Sequence, residues 1–209
     1  MSITDADQLL EVQWRTVEDA AFTSGLWTLT EVAAYFYQRQ NLFNRDTFLL
    51  LAQMPGIAAT NGVAAYDLPD DWIATQRVTW KTVAGVITPI ARGDRFSANT
   101  LIGSAGGPSK PIVYDDHAGG SRRIEIFPTP TADGTIGLLY ASVLEILNFD
   151  GTGDIFDIPD DFVPYVMYGV LEDMLSKDGR GRDLARAAYC RARYDEGVAL
   201  AAFFLGGFV

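Results

Sequence analysis

The sequence is poor in the side chains on which many enzymes and secreted proteins rely. Its one cysteine, Cys190, excludes an intrachain disulfide, and its one histidine, His117, excludes any site that needs two imidazoles. The N-terminus is acidic, unlike a signal peptide. The longest apolar run, 198–209, has twelve residues, whereas a bilayer span takes about 20. We therefore expect no membrane segment and assembly in a reducing compartment.

Positive charge is also scarce. The 209 residues carry a formal net charge of −11, with only three lysines among 16 basic residues. A protein that reads nucleic acid needs a basic footprint to displace counterions from phosphate. The charge therefore argues against specific binding of DNA or RNA, although it permits DNA to pass close by.

The hydrophobic pattern divides the chain into three parts. Residues 1–56 read as helices: Thr4 can cap a first helix, and Thr28 with Glu31 forms a capping-box pattern before a second. The apolar stripe predicted for the first helix consists of Leu10, Trp14, Val17 and Ala21. FLLLAQM, at 48–54, predicts a short further helix that Pro55 and Gly56 end.

Residues 57–155 have the character of a β unit. Glycine and proline are concentrated here, and the residues around Trp80 alternate with period two, as in a strand. Asp133-Gly134, between two strand candidates, predicts a hairpin.

Residues 156–209 return to helix. The segment that follows FDIPDDF is apolar nearly all round, so it must be surrounded by other helices, and a long helix follows the turn KDGRGRD. We expect an α+β fold, a helical bundle from the N- and C-terminal segments with an inserted small antiparallel β unit.

Two carboxylate pairs recur in matching motifs, YDLPDDW at 66–72 and FDIPDDF at 156–162. Adjacent side chains point in different directions, so neither pair can act by itself as a catalytic dyad. Asp160 and Asp161, with Pro164 shortly after, are typical of a helix start, where carboxylates cap free N–H groups. Asp70 and Asp71 precede a strand, which favours a turn.

Other motifs give no catalytic, cofactor or metal site. NFDGTGDIFD, at 148–157, resembles a calcium loop, but Pro159 stands where the bidentate glutamate belongs. His117 follows two aspartates without a nucleophile motif near it, and GSAGG, at 103–107, lacks the context of a phosphate-binding loop. We interpret these as ordinary loops.

The arginines and the C-terminal phenylalanines are the better candidates for function. The predicted assembly surface consists of Arg182, Arg186, Arg193, Phe203, Phe204 and Phe208. Arginine forms planar paired contacts with carboxylates. The aromatic cluster either folds back onto the bundle or is covered by a neighbouring subunit, and Gly206-Gly207, which uncouples the end from the helix, favours the neighbour. The arginines could equally pair with Asp183 and Glu196 of their own chain.

Five segments, in order, resemble the head-to-tail adaptor (connector) family of tailed bacteriophages, and together they cover most of 25–202. They are GLWTLTEVAAYFYQRQNLFNRDT, YDLPDDWIATQRV, IEIFPTPTADGTIGLLY, IPDDFVPYVMYGVLEDMLSKDGRGRD and AAYCRARYDEGVALA. The resemblance implies a ring of identical subunits, twelve-fold to match the portal protein. It further implies a place in the virion neck, binding to the portal and to the next tail or neck protein, and a channel that DNA crosses without specific binding.

Two alternatives remain open from the sequence. One is a non-catalytic module on the β unit that binds carbohydrate or protein, with Trp72 and Trp80 as platform aromatics. The alternation around Trp80 argues against this module, because it predicts that the Trp80 ring is at least half buried in the core. The other is an acid hydrolase whose carboxylates converge in the fold, which no spacing supports.

Overall fold

The chain folds into two compact units. One comprises Met1–Leu50 with Leu144–Val209, and the other comprises Leu51–Val143. The computed structural model describes residues 2–16, 22, 25–93, 110–117, 122–147, 149 and 153–204. Both ends of the chain therefore contribute to the first unit. In the sequence, the second unit is an insertion between these two segments.

The first unit is helical. Its described helices are α1 (Asp5–Thr16), α2 (Leu29–Thr47), α3 (Val163–Ser176) and α4 (Leu184–Phe204). The capping box predicted for α2 is confirmed: the Glu31 amide donates to Thr28 Oγ1 over 3.2 Å, and the Thr28 amide donates to Glu31 Oε2 over 2.9 Å. These two bonds satisfy N–H groups that a helix start leaves free, which is why α2 begins here.

Helix α3 is the centre of the helical core. Val166, Val170 and Met174 are buried, as its nearly all-round apolar sequence predicts. From α2, Phe36 and Phe43 join the same cluster. The indole N–H of Trp27 donates to the Met174 carbonyl over 2.9 Å and so ties the segment before α2 to the end of α3.

Helices α3 and α4 approach each other closely at two glycine–tyrosine contacts. A Cβ added to Gly169 would lie 2.7 Å from the Tyr194 ring, and one added to Gly197 would lie 2.3 Å from Tyr165 Cβ. Each helix thus supplies one glycine and one tyrosine to the other. This reciprocal arrangement sets the register of the pair, because a larger side chain at either glycine would push the helices apart.

The stripe predicted for α1 is wrong where the structure describes it. Leu10 and Trp14 are 62% and 82% exposed, whereas the buried side of the helix carries Gln8, Val12 and Gln13. Buried Asp5 fixes this orientation, since its Oδ2 accepts from the Phe149 amide over 3.0 Å. Val17 and Ala21 lie outside the described residues.

In the described residues, the second unit is a mixed sheet of seven strands in the order β1-β7-β3-β4-β5-β6-β2. Its strands are β1 (Leu51–Ala59), β2 (Ala65–Asp67), β3 (Trp72–Thr82), β4 (Ile87–Arg92), β5 (Val113–Asp115), β6 (Arg123–Phe127) and β7 (Gly134–Ser142). The named pairs are antiparallel except β4 with β5, which run parallel and pair Ala91 with Val113. The expected fold class, a helical bundle with a small antiparallel insertion, is therefore wrong.

Trp80 organises the core of the sheet. It is 2% exposed on β3 and packs with Val78, Ile136 and Leu138. On the neighbouring strand β7, a Cβ added to Gly134 would lie 2.4 Å from the indole ring, so only glycine leaves room for this ring. The period-two alternation in β3 thus predicts the buried side of the strand correctly.

Two further local predictions are also wrong. FLLLAQM does not form a helix: α2 extends to Thr47, Phe48 adopts a left-handed cap, and Leu51 begins β1. Asp133-Gly134 does not close a hairpin, because β6 pairs with β2 and β5 whereas β7 pairs with β1 and β3. Asp133 instead accepts a hydrogen bond from the Asn61 amide over 2.8 Å.

Candidate assembly surface

The carboxylate pair at 70–71 has structural partners within the sheet unit. Asp71 accepts a hydrogen bond from the Tyr140 hydroxyl over 3.0 Å, and Arg122 lies 3.5 Å from an Asp70 carboxylate oxygen. Burial, and then the bond to Asp71, raises the pKa of Tyr140 to about 12. Tyr140 therefore stays protonated and donates to Asp71 throughout the physiological range.

The pair at 160–161 holds the N-terminus rather than capping a helix. The N-cap of α3 is Phe162, which makes no side-chain cap bond, so the capping prediction is wrong. Asp160 Oδ1 instead accepts from the Ile3 amide over 3.0 Å, and Asp161 is exposed. Pro164 does lie in the first turn of α3, where its missing N–H has no partner to lose.

Asp160 gives a first prediction. Replacing Asp160 with alanine removes an acceptor from the Ile3 amide, so the free energy of unfolding should fall by about 1 kcal/mol. Asp160→Asn keeps an acceptor oxygen and should change it by less. Urea unfolding measures both variants, with Asp161→Ala as a control at an exposed neighbour. Equal effects of Asp160→Ala and Asp161→Ala would contradict the anchoring role.

Asp115, Asp116 and His117 form a cluster at the end of β5 that could suggest a metal site. The Asp116 carboxylate is 1% exposed, but Arg92 Nη2 lies 2.9 Å from its Oδ1 and 3.1 Å from His117 Nδ1. The guanidinium thus already holds the position that a cation would take. These residues do not fit a metal ion, and the exposed His117 remains a loop residue.

The two tryptophans considered as ligand platforms are not available for that purpose. Trp80 is in the sheet core, and the half-buried Trp72 donates its indole N–H to Thr75 Oγ1 over 3.0 Å. The observation that would favour a carbohydrate-binding module, an exposed aromatic face on the sheet, is absent at these positions.

The structure gives each predicted arginine a contact within its own chain. Arg182, in the turn before α4, lies 2.9 Å from Asp178, and Arg193 pairs with Glu196 one turn further along the helix. Both pairs are largely exposed, and such pairs contribute little to stability. Arg186 differs, because its guanidinium donates to the Arg15 carbonyl over 2.7 Å. No carboxylate forms an ion pair with Arg186 among the residues described.

Of the predicted phenylalanines, Phe203 and Phe204 lie at the end of α4 with 78% and 73% of their surface exposed. Their rings contact each other edge to face, with centroids 6.0 Å apart. Phe208 lies outside the described residues. Two adjacent exposed aromatic rings form the kind of apolar patch that marks an interaction surface.

Sequence reasoning missed a second exposed apolar patch, Leu10 and Trp14 on α1. The pattern contained both residues but assigned them to the core, because spacing alone does not tell which side of a short helix is covered. A further missed feature is a pocket at the beginning of α4, where α1, α3 and α4 meet.

In the described part of the chain, the acids, the histidine and the tryptophans singled out from the sequence are held by hydrogen bonds, ion pairs or packing, except the exposed Asp161. The described surface instead offers exposed aromatic and arginine side chains, residue types that are enriched in protein–protein interfaces. No described helix has the length and apolar character needed to cross a membrane.

The sequence model of the SU10 adaptor protein family matches residues 4–202. The chain belongs to this family of phage head-to-tail adaptors, and the resemblance noted in the sequence is confirmed. No curated protein matches the chain. Its membership of the family makes the chain a structural adaptor protein of a bacteriophage and a component of the virion.

Proposed function

We propose that the chain forms a ring that joins the portal to the tail and extends the DNA channel. The ring is twelve-fold to match the portal, and it sits in the virion neck. One face binds the portal protein and the other binds the next tail or neck protein. Assembly takes place in the host cytoplasm, before the ring becomes part of the virion.

One observation carries this proposal. The helical unit of this chain, a member of the adaptor family, has two exposed apolar patches on different helices. Leu10 and Trp14 lie on α1, whereas Phe203 and Phe204 lie at the far end of α4. A ring needs heterologous contacts, in which one patch of each subunit meets a different patch of the next. A chain with a single self-complementary patch would form a closed dimer instead of a ring.

Native mass spectrometry of the chain co-expressed with the portal protein of its phage tests the proposal. We expect one discrete mass in which twelve adaptor copies accompany the portal ring. The portal expressed alone is the control. Adaptor that stays monomeric both alone and in the presence of the portal contradicts the proposed function.

The charge of the chain predicts how DNA behaves in the channel. With a net charge of −11, the assembled ring should not retain duplex DNA of random sequence, even at low salt. An electrophoretic mobility assay measures this, with a basic protein of similar mass as a positive control. A shift that weakens as salt rises would reveal a phosphate-binding surface and contradict passive passage.

A further inference from the structure

A pocket of about 310 Å³ opens at the beginning of α4. Its floor is apolar, formed by the buried side chains Leu171, Leu175 and Cys190. The rings of Tyr168 and Tyr189, in edge-to-face contact at 6.1 Å, also line it. Apolar surroundings of this kind raise the pKa of the Cys190 thiol, first through burial, so the thiol stays neutral. We call this pocket the socket.

Two arginines line the socket as well. Arg15 lies over the ring of Tyr168, with its guanidinium carbon 5.1 Å from the centroid, and Arg186 bonds to the Arg15 carbonyl. An apolar floor with guanidinium groups beside it suits an aromatic side chain, because the ring buries its area and the cations can lie against its face. Arg186 has no ion pair of its own in the described chain, so it can pair with carboxylates that lie near the aromatic side chain on the same partner.

Such an aromatic group is present on the chain itself, at the other end of the same helix. Phe203 and Phe204 are the exposed pair, which we call the knob. From Ala185, beside the socket, to Phe203 is 18 residues, which is about 27 Å along an α-helix. Because both belong to one continuous helix, the knob cannot reach the socket of its own copy. A second copy can supply it.

The charges along α4 favour the same arrangement. Its first half carries Arg186, Arg191 and Arg193, and Asp195 and Glu196 follow at its middle. Within one copy, Arg191 lies 3.9 Å from Asp195, and Arg193 pairs with Glu196. Exposed pairs of this kind are weak, so their members can exchange partners. When the second half of one copy lies against the first half of the next, the carboxylates of one copy approach arginines of the other. The opposite arrangement, first half against first half, would bring the arginines together.

We infer that the knob of one copy inserts into the socket of the next, and that this heterologous contact closes the ring. The inference rests on the proposed function, since it names the contact by which the ring is built. Arg186 then acts at the centre of the interface, where it lies against the inserted phenylalanine side chain of the neighbouring copy. Arg182, in the turn before α4, has no part in it.

Site-specific photo-crosslinking tests this contact without removing the aromatic knob. Benzoylphenylalanine placed at Phe203, in assembled complexes of adaptor and portal, should crosslink to peptides that contain Ala185–Cys190 or Leu171–Leu175. Mixing ¹⁵N-labelled and unlabelled copies shows that the crosslink joins two subunits. The same photo-reactive residue at exposed Ile146, in the helical unit, is the control and should not reach these peptides.

Alanine variants measure the strength of the contact. Phe203→Ala with Phe204→Ala should weaken association between copies by at least about 30-fold, because aromatic anchors carry much of the binding energy of an interface. Sedimentation velocity over a dilution series of purified adaptor with portal gives the change. Ile146→Ala is the control, and circular dichroism checks that the fold is unchanged.

The outcomes separate this inference from the proposed function. Rings that form normally without both phenylalanines, or crosslinks from residue 203 to another copy's residue 203 or to the portal, overturn the inference and leave the ring intact. Absence of rings from the wild-type chain, with and without the portal, overturns both.

Discussion

Replacing Val170 with aspartate is expected to unfold the helical unit. Val170 is fully buried at the centre of α3, among Phe36, Phe43 and the other members of the helical core. An unpaired carboxylate there costs several kcal/mol, which is a large part of the roughly 5–15 kcal/mol that stabilises a typical protein. Thermal unfolding followed by circular dichroism at a helical wavelength should show a much lower midpoint or no folded baseline.

A matched control distinguishes burial from the loss of helix propensity. Ala188→Asp introduces the same side chain into α4 at an exposed position and should change stability by less than about 1 kcal/mol. An unchanged melting temperature for Val170→Asp would show that α3 is not enclosed, and the helical core described above would be wrong.

Arg39→Met is expected to have the second large effect. The Arg39 guanidinium, with 14% of its side chain exposed, donates through Nε to Asp173 Oδ2 over 2.6 Å and lies 3.0 Å from Glu172 Oε2. The hydrogen bond to Asp173 is the main cause that raises the pKa of Arg39 above its usual high value. Removing the cation leaves two partly buried carboxylates without the guanidinium that both contact, at a cost of about 3 kcal/mol.

Rescue and control variants make this prediction specific. Adding Glu172→Gln and Asp173→Asn to Arg39→Met should recover part of the loss, because neutral amides do not repel each other. Arg45→Met removes an arginine from an exposed pair with Asp46 and should cost about 1 kcal/mol or less. If urea unfolding gives equal losses for Arg39→Met and Arg45→Met, the buried ion cluster does not contribute as proposed.

Local patterns predicted the start of α2 and the burial of α3, although they failed for the FLLLAQM helix and for the cap at Asp160 and Asp161. The capping box at Thr28 and the apolar character of α3 each depend on side chains within one or two turns. The side of α1 that is buried depends instead on Asp5 bonding to Phe149, 144 positions away. No spacing within the helix carries that information, so Leu10 and Trp14 were assigned to the wrong side.

In the sheet, too, features set by neighbouring residues were predicted and features set by distant residues were not. The alternation around Trp80 predicts which side of β3 is buried, because period two is a property of the strand itself. Strand pairing is not local: the segments on either side of Asp133 each found partners elsewhere, so a favourable turn dipeptide did not produce a hairpin. The parallel pairing of β4 with β5 had no signal in the sequence.

The candidate assembly surface was partly visible in the sequence. Composition singled out the arginines and phenylalanines, since few other residues stand out in an acidic chain with one histidine. The socket could not be predicted, because its residues come from α1, α3 and α4 and become neighbours only when these helices pack.

The division of the helical unit between the two ends of the chain has a consequence for its synthesis. Phe36 of α2 packs against Phe149, at 5.0 Å between ring centroids, and against Phe156. These partners leave the ribosome 113 or more residues after Phe36, when the whole segment of the sheet unit has already emerged. The apolar face of α2 is therefore exposed during translation until these partners are made, and host chaperones are expected to bind it. A nascent chain stopped after residue 143 should aggregate through this face.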